Sequence, residues 1–177
     1  MEGGLSDLAA ASSVMPLVEQ LAERLRGLGW RLACAESCTG GLIAAACTEL
    51  AGSSDWFERG IVSYSNQAKV ALLDVPQGLL DAHGAVSEAV ARAMVEGVAR
   101  SSAAQLAVSV TGIAGPTGGT PTKPVGTVWF GFSVRCRDGT LQVTSEHRLF
   151  DGDRAQVRDA SVRHALQGLL RRAQVAP

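Results

Sequence analysis

The sequence predicts an α/β domain with a mixed, mostly parallel sheet of about five strands. Two observations support this prediction. Apolar segments of strand length alternate with segments of helical periodicity, which is typical of βαβ units with parallel strands. Near the carboxyl terminus, two further apolar segments flank a short polar turn, which indicates a hairpin and at least one antiparallel strand.

The first elements are a flexible leader and a helix. We expect a leader at residues 1–13, followed by a single domain at 14–172. The leader lacks the basic start and apolar core of a signal peptide, and we expect a cytoplasmic protein. The first helix is predicted over residues 16–28, where leucine recurs every three or four positions on one face.

A βαβ unit comes next. Its predicted parts are a strand near residues 31–36, a helix near 40–50 and a strand near 60–65. The crossover leaves the two strands parallel, so both end at the same edge of the sheet. Open α/β sheets bind ligands at this edge, and the residues just after each strand are therefore candidate site residues.

The remaining elements carry their own end signals. Ser87 is placed to cap a helix that ends at Arg100. Asp153 is placed to cap the last helix, on which Arg154 and Arg158 lie four residues apart on one face. A turn is predicted at 75–78, strands at 104–110, 125–134 and 141–149, and the hairpin turn at 137–140.

Composition excludes several classes of protein. The chain of 177 residues has a net charge of −1 and no basic run, so nucleic acid is not the expected partner. It has no apolar run of membrane-spanning length. The four cysteines and three histidines fit neither a zinc site nor a disulfide framework, and we expect no metal. Neither a Walker A loop nor a G-x-G-x-x-G motif is present, and no cofactor is expected.

A serine and paired glycines follow the first strand. Here the glycines let the backbone approach a ligand, and a helix start offers unpaired N–H groups to a negative charge. The alternative is that Ser37 or Thr39 simply caps the helix that begins near Gly40 and Gly41. A second alternative is a reactive thiolate at Cys38, although strand alternation turns its side chain away from that of Ser37.

Lysine is rare in this chain. Only Lys69 and Lys123 are lysines among 16 basic residues, and the alternative to a function is chance retention of two surface lysines. Lysine, unlike arginine, loses its proton readily when buried and can then act as a base. Lys69 and the sole tyrosine, Tyr64, lie at or just past the end of the second strand, next to Ser37. The three side chains are those of a hydroxyl nucleophile with a lysine base.

A glycine-rich loop at residues 111–119 follows the strand at 104–110. It is long and polar, and its glycines leave backbone N–H groups exposed, which favours a ligand-binding loop. A flexible connection of hairpin type is the alternative.

Six blocks of sequence together resemble the CinA C-terminal domain family over roughly residues 15–170. They are AESCTGG at 35–41, SYSNQAK at 63–69, LLDVP at 72–76, HGAVS at 83–87, TGIAGPTGG at 111–119 and KPVGTVWFGF at 123–132. The resemblance implies a three-layer α/β/α sandwich. It also implies a stand-alone nicotinamide-nucleotide amidase, which converts nicotinamide mononucleotide to nicotinate mononucleotide and ammonia.

The same resemblance assigns roles to individual residues. Ser37 is the expected nucleophile, Lys69 its base and Tyr64 a third catalytic member. Thr39, Gly40 and Gly41 are candidates for the oxyanion site. The expected ribose or phosphate loop consists of Thr111, Gly112, Ile113, Ala114 and Gly115, with Lys123, Arg154 or Arg158 adding positive charge.

Two other functions stay open from the sequence. A Ser–Lys hydrolase of the β-lactamase type is disfavoured, because the S-x-x-K spacing around Ser37 and an S-D-N motif are missing. The other is a catalytically silent module of the competence- or damage-inducible kind that binds a nucleotide or a partner. A homodimer is a further expectation, resting only on apolar side chains at the surface.

Overall fold

The computed structural model describes residues 13–175 of the chain, and the predicted leader lies outside this range except for Ser13. Within the described range there are five strands and six α helices. The strands are β1 (Leu32–Glu36), β2 (Phe57–Val62), β3 (Leu106–Gly112), β4 (Thr127–Arg135) and β5 (Leu141–Leu149). The helices are α1 (Met15–Leu28), α2 (Leu42–Glu49), α3 (Asn66–Leu73), α4 (Gln77–His83), α5 (Glu88–Arg100) and α6 (Arg154–Gln174).

The five strands form one mixed sheet in the order β2-β1-β3-β4-β5. Strand β1 lies between β2 and β3 and is parallel to both. Strand β4 is antiparallel to β3 and to β5. The prediction of a mixed sheet of about five strands is confirmed. Its mostly parallel character holds only in part, because β4 and β5 add two antiparallel pairs to the two parallel pairs of β1.

Helices cover both faces of the sheet. Side chains alternate along β1, so that Leu32 and Cys34 pack with α1, α2 and α6. Ala33 and Ala35 point to the other face and pack with α3, α4 and α5. Because β1 is covered on both sides, all of its residues are buried, as expected for a central parallel strand. The three-layer α/β/α sandwich is confirmed.

Most predicted ends agree with the structure. Ser87 Oγ accepts a hydrogen bond from Val90 N at the start of α5. Asp153 caps α6 in a reciprocal capping box with Gln156. The hairpin between β4 and β5 is also present, with Arg135 paired to Leu141. No helix in the described range is long and apolar enough to cross a membrane.

Two helices were missing from the prediction. The segment after β2, where no helix was predicted, forms α3, whose first turn is capped by the hydroxyl of Ser65. The turn predicted at 75–78 is instead the start of α4, with Pro76 as its N-cap. Gly97 has no side chain where α5 meets the carbonyl of Leu73, which allows α3 and α5 to pack closely. Lys69 therefore lies on a well-packed helix and not on a loop.

Candidate active site

Ser37 lies at the carboxyl end of β1, between the ends of its two parallel neighbours. Its backbone N–H donates to the carbonyl of Val110 at 3.0 Å, and the carbonyl of Glu36 accepts from Ser63 N at 2.8 Å. The sheet pattern thus continues one residue beyond β1 on both sides. This fixes Ser37 in place, with the residue 9% exposed.

Lys69 reaches Ser37 from α3. Its Nζ lies 3.0 Å from Ser37 Oγ, 2.8 Å from the carbonyl oxygen of Ser63 and 3.4 Å from that of Tyr64. Carbonyl oxygens only accept, so the two carbonyls can take the two hydrogens of a neutral amine. The amine lone pair then faces the hydroxyl of Ser37, which is the arrangement that a general base requires.

Burial favours the neutral form of this amine. Lys69 is 1% exposed, and desolvation lowers the pKa of its ammonium from the ordinary value of 10.5. Cys38 has a smaller effect, which raises the pKa of Lys69. No carboxylate in the described part of the chain contributes to keeping Lys69 charged. The contacts and the direction of the pKa shift both suit a base.

The side chain of Glu36 binds the N-terminus of α2. Its buried carboxylate accepts hydrogen bonds from the backbone N–H groups of Gly41 and Ile43, both at 3.1 Å, and of Ala44 at 2.9 Å. An anion at a helix N-terminus is stabilised by the helix dipole and by these unpaired donors. From the sequence, the unpaired N–H groups at this helix start were candidates for binding a ligand. In the structure they bind the carboxylate of Glu36 instead.

The turn after Ser37 uses both of its glycines for geometry. Gly40 and Gly41 have φ values of +59° and +99°, which favour glycine. Gly40 N–H donates to the carbonyl of Ser37 at 3.0 Å, and Gly41 N–H donates to Glu36. Neither glycine N–H is therefore free for an oxyanion, although both were candidates from the sequence.

Arg158 holds the same turn from α6. Its Nε donates to the carbonyl of Cys38 and its Nη2 to that of Thr39, both at 3.2 Å. The sequence suggested Arg158 only as a source of charge for a phosphate. The contact to Cys38 spans 120 residues of the chain, and no local sequence pattern signals it.

Tyr64 lies at the mouth of the site. Its side chain is exposed, and its hydroxyl contacts Nη2 of Arg154 at 3.0 Å. Nη1 of Arg154 donates to the carbonyl of Gly115 at 2.9 Å, which links the glycine-rich loop to Tyr64. The phenol thus contacts Arg154, while the main-chain carbonyl of Tyr64 faces Lys69.

A small cavity of about 210 Å³ opens above Ser37 and Lys69. Its walls combine the turn at residues 37–41, the end of β3, the start of α3, the α4–α5 connection and Arg154. The lining residues are Ser37, Cys38, Tyr64, Asn66, Lys69, Ala85, Val86, Thr111, Gly112, Ala114 and Arg154. A larger groove lies at the other end of the sheet, beside Trp30 and Arg135.

The glycine-rich loop is only partly in this cavity. Ile113 pairs through its backbone with Thr127 and Gly126, away from the cavity lining. The Nζ of Lys123 donates to the carbonyl of His83 at 2.7 Å, at the carboxyl end of α4. Lys123 lies beyond residue 119, in the part of the connection that runs on to β4, and it ties this part to α4 without lining the cavity.

Cys38 is a poor candidate for the nucleophile. Its side chain is 6% exposed, and burial raises the pKa of its thiol to about 11. A thiol with this pKa is almost entirely protonated at neutral pH. In residues 13–175, no group of three or more histidine, cysteine, aspartate or glutamate side chains is arranged to hold a metal ion.

Comparison with known proteins gives a consistent result. The sequence profile described as the CinA C-terminal domain matches residues 14–173. A protein of Enterobacter agglomerans named nicotinamide-nucleotide amidohydrolase PncC is 51% identical over 152 residues, covering 86% of this chain and 90% of that protein. A Pseudomonas putida protein of the same name is 50% identical, with 89% and 95% covered. The crystal structure of the competence damage-inducible protein A from Klebsiella pneumoniae superposes with a TM-score of 0.87 at 37% identity, over 93% of this chain and 99% of that one.

Proposed function

The chain belongs to the CinA C-terminal domain family, and from this premise we propose that it is a nicotinamide-nucleotide amidase. It hydrolyses nicotinamide mononucleotide to nicotinate mononucleotide and ammonia. The observation that carries the proposal is the buried contact of 3.0 Å between Lys69 Nζ and Ser37 Oγ. A neutral amine beside a hydroxyl at the base of a cavity supports acyl transfer from an amide.

The first half-reaction forms an ester on Ser37. The Oγ attacks the carboxamide carbon, and its proton passes to Nζ of Lys69. The carboxamide oxygen becomes an oxyanion, which backbone N–H groups of the turn after Ser37 stabilise. The resulting Lys69 ammonium returns the proton to the departing nitrogen, so ammonia leaves and the nicotinoyl ester remains.

The second half-reaction reverses these proton transfers. Water enters the place of ammonia and gives a proton to Lys69 as it attacks the ester carbon. The tetrahedral intermediate collapses, the carbon–Oγ bond breaks, and Ser37 recovers its proton from Lys69. The products are free enzyme and nicotinate mononucleotide, whose new carboxylic acid loses its remaining proton to the solvent at neutral pH.

The cavity suggests how the substrate lies. Its volume of about 210 Å³ is below the usual size of a complete ligand pocket, about 300–1,000 Å³. The nicotinamide end therefore enters the cavity, and the ribose phosphate extends towards Arg154 and the glycine-rich loop. Tyr64, whose hydroxyl contacts Arg154, then lines the entrance.

A silent binding module explains the site less well. Burying an amine without a carboxylate costs free energy, because desolvation disfavours its charge. Ligand binding alone gains nothing from such a group at the bottom of the cavity. A reaction that needs a general base does gain from it.

The test is ammonia release by the purified protein. We expect release from nicotinamide mononucleotide, much slower release from free nicotinamide, and no dependence on metal when EDTA is added, since remote binding energy raises turnover. Ser37→Ala should lose at least about 10⁴-fold in kcat, as for other serine nucleophiles. Absence of release by the wild-type protein overturns the proposal, and equal rates on the two substrates remove the role of the ribose phosphate.

We also propose a cytoplasmic location, as for an enzyme of nucleotide recycling, and a homodimer. Light scattering during size-exclusion chromatography measures the second directly. A monomer across the assay concentrations overturns it.

A further inference from the structure

We call residues 37–41 the nucleophile turn. Two of its N–H groups have no acceptor on another residue of the described chain. Gly40 and Gly41 donate to Ser37 and Glu36, and the next N–H, that of Leu42, donates to the carbonyl of Thr39. Within residues 13–175, the N–H groups of Cys38 and Thr39 form no hydrogen bond to another residue. They directly follow the nucleophile, where a transition-state oxyanion develops.

The direction of one of these N–H groups depends on Arg158. In a trans peptide, the carbonyl and the following N–H point in opposite directions. The carbonyl of Cys38 is directed at Nε of Arg158, so the N–H of Thr39 points away from the guanidinium. The second contact, from Nη2 to the carbonyl of Thr39, keeps the turn from rotating about its first anchor.

The guanidinium is well suited to this task. Its planar group donates through two nitrogens at fixed spacing, whereas an ammonium donates from a single point. Charge-assisted hydrogen bonds to carbonyls are also stronger than neutral ones. Arg158 does not line the cavity, while Arg154, one turn earlier on α6, does.

We propose that Arg158 is a positioning residue that orients the N–H group of Thr39, which forms the oxyanion site beside Ser37 together with the N–H group of Cys38. This inference rests on the proposed amidase function. It assigns the oxyanion donors to the two residues that follow the nucleophile, and it separates Arg158 from phosphate binding. Arg154 remains the cation of the cavity.

The experiment compares Arg158→Ala and Arg158→Lys with the wild-type protein. Arg158→Ala should lower kcat about 100-fold with KM within about threefold, because loss of aligned oxyanion donors affects the transition state and not ground-state binding. Arg158→Lys should lose about tenfold, since one nitrogen cannot bridge both carbonyls. Added guanidinium should restore part of the turnover of Arg158→Ala.

Pyridine-3-boronic acid gives a second measurement that does not need turnover. Its boron accepts the oxygen of Ser37 and becomes a tetrahedral anion, which mimics the intermediate. Its affinity should fall in Arg158→Ala by the same factor as kcat/KM. The matched control is Arg171→Ala, also on α6, whose guanidinium contacts Glu146 on β5, and it should leave kcat and boronate affinity unchanged.

The outcomes separate the two proposals. A raised KM with kcat and boronate affinity unchanged makes Arg158 a phosphate ligand and overturns the inference. Unchanged kcat, KM and boronate affinity also overturn it, because the turn then holds its shape alone. A wild-type protein that releases no ammonia overturns the amidase function, and boronate affinity still decides the role of Arg158.

Discussion

Two glycine-rich segments follow neighbouring parallel strands, and the structure treats them very differently. The turn at residues 37–41 follows β1 and closes on itself, held by the carboxylate of Glu36 and by Arg158 from α6. The loop at 111–119 follows β3 and runs out to an exposed stretch at 116–122. Gly115 in this loop is held by Arg154 on α6, and Lys123, further along the same connection to β4, donates to the carbonyl of His83 on α4.

From this difference we infer that the turn serves the chemical step and the loop serves substrate binding. A closed, buried turn keeps a nucleophile and its oxyanion donors within the small tolerance that bond formation needs. An open loop tied from outside can adapt to the remote part of a substrate. Changes in the turn should therefore act on kcat, and changes around the loop on KM.

Apart from the loss of Ser37 itself, the largest effect is expected at Lys69, the proposed general base, which contacts the turn from α3. Lys69→Arg should lower kcat at least about 10³-fold, because a guanidinium stays protonated and cannot accept the proton of Ser37. Ammonia release measures the loss, and circular dichroism checks that the fold is retained. Substantial residual turnover would make Lys69 an electrostatic residue and place the base elsewhere.

The pH dependence sharpens the same point. Burial lowers the pKa of Lys69 below its ordinary 10.5, so the active neutral amine appears as pH rises through this lowered value. We expect kcat/KM to increase about tenfold per pH unit below that pKa and to level off above it. A rate profile that rises only at the pKa of a free lysine contradicts a desolvated base.

Glu36→Gln tests how far the turn depends on its buried anion. The amide keeps the shape but turns one acceptor into a donor that faces backbone N–H groups. We expect a loss of about 1–3 kcal/mol in the free energy of unfolding, the cost of an unsatisfied buried group. Urea titration measures it. Glu49→Gln, at the other end of α2, is the control and should be neutral.

A smaller effect is expected from the loop anchor. Lys123→Ala removes the bond to the carbonyl of His83 and should raise KM for nicotinamide mononucleotide about three- to tenfold with little change in kcat. Steady-state kinetics separate the two constants. A loss confined to kcat would end the proposed division between turn and loop.

The smallest effect is expected at Cys38. Its thiol, with a pKa raised to about 11, takes no part in the proposed chemistry. Cys38→Ala should keep kcat within about threefold, since its backbone N–H is retained. A loss comparable to that of Ser37→Ala would identify the thiol as the nucleophile.

The sequence predicted those features that depend on local chemistry. Strand and helix periodicity gave the α/β class, and the caps at Ser87 and Asp153 were recognisable from residue type. The helix α3 was missed because its first residues, Asn66 and Gln67, are polar and its apolar stretch is short. The cap at Ser65 was the available signal.

The contacts that shape the site could not be predicted in this way. From its neighbours in the sequence, Glu36 is simply the last residue of a strand. Its binding of the α2 N-terminus depends on where that helix begins after the turn. Arg158 and Arg154 act on residues 119 and 90 positions away along the chain. Such pairings follow from the packing of α6 on the sheet, which no periodicity in one segment specifies.

The position of α6 has a consequence for biosynthesis. The proposed nucleophile and its proposed base both lie in the first half of the chain, just after β1 and on α3, while Arg154 and Arg158 belong to the last helix. A growing chain can thus bring Ser37 and Lys69 together well before the residues that hold the nucleophile turn and the cavity entrance have been translated. We expect amidase activity to appear only when α6 docks, so that incomplete chains contain Ser37 and Lys69 but do not yet hydrolyse nicotinamide mononucleotide.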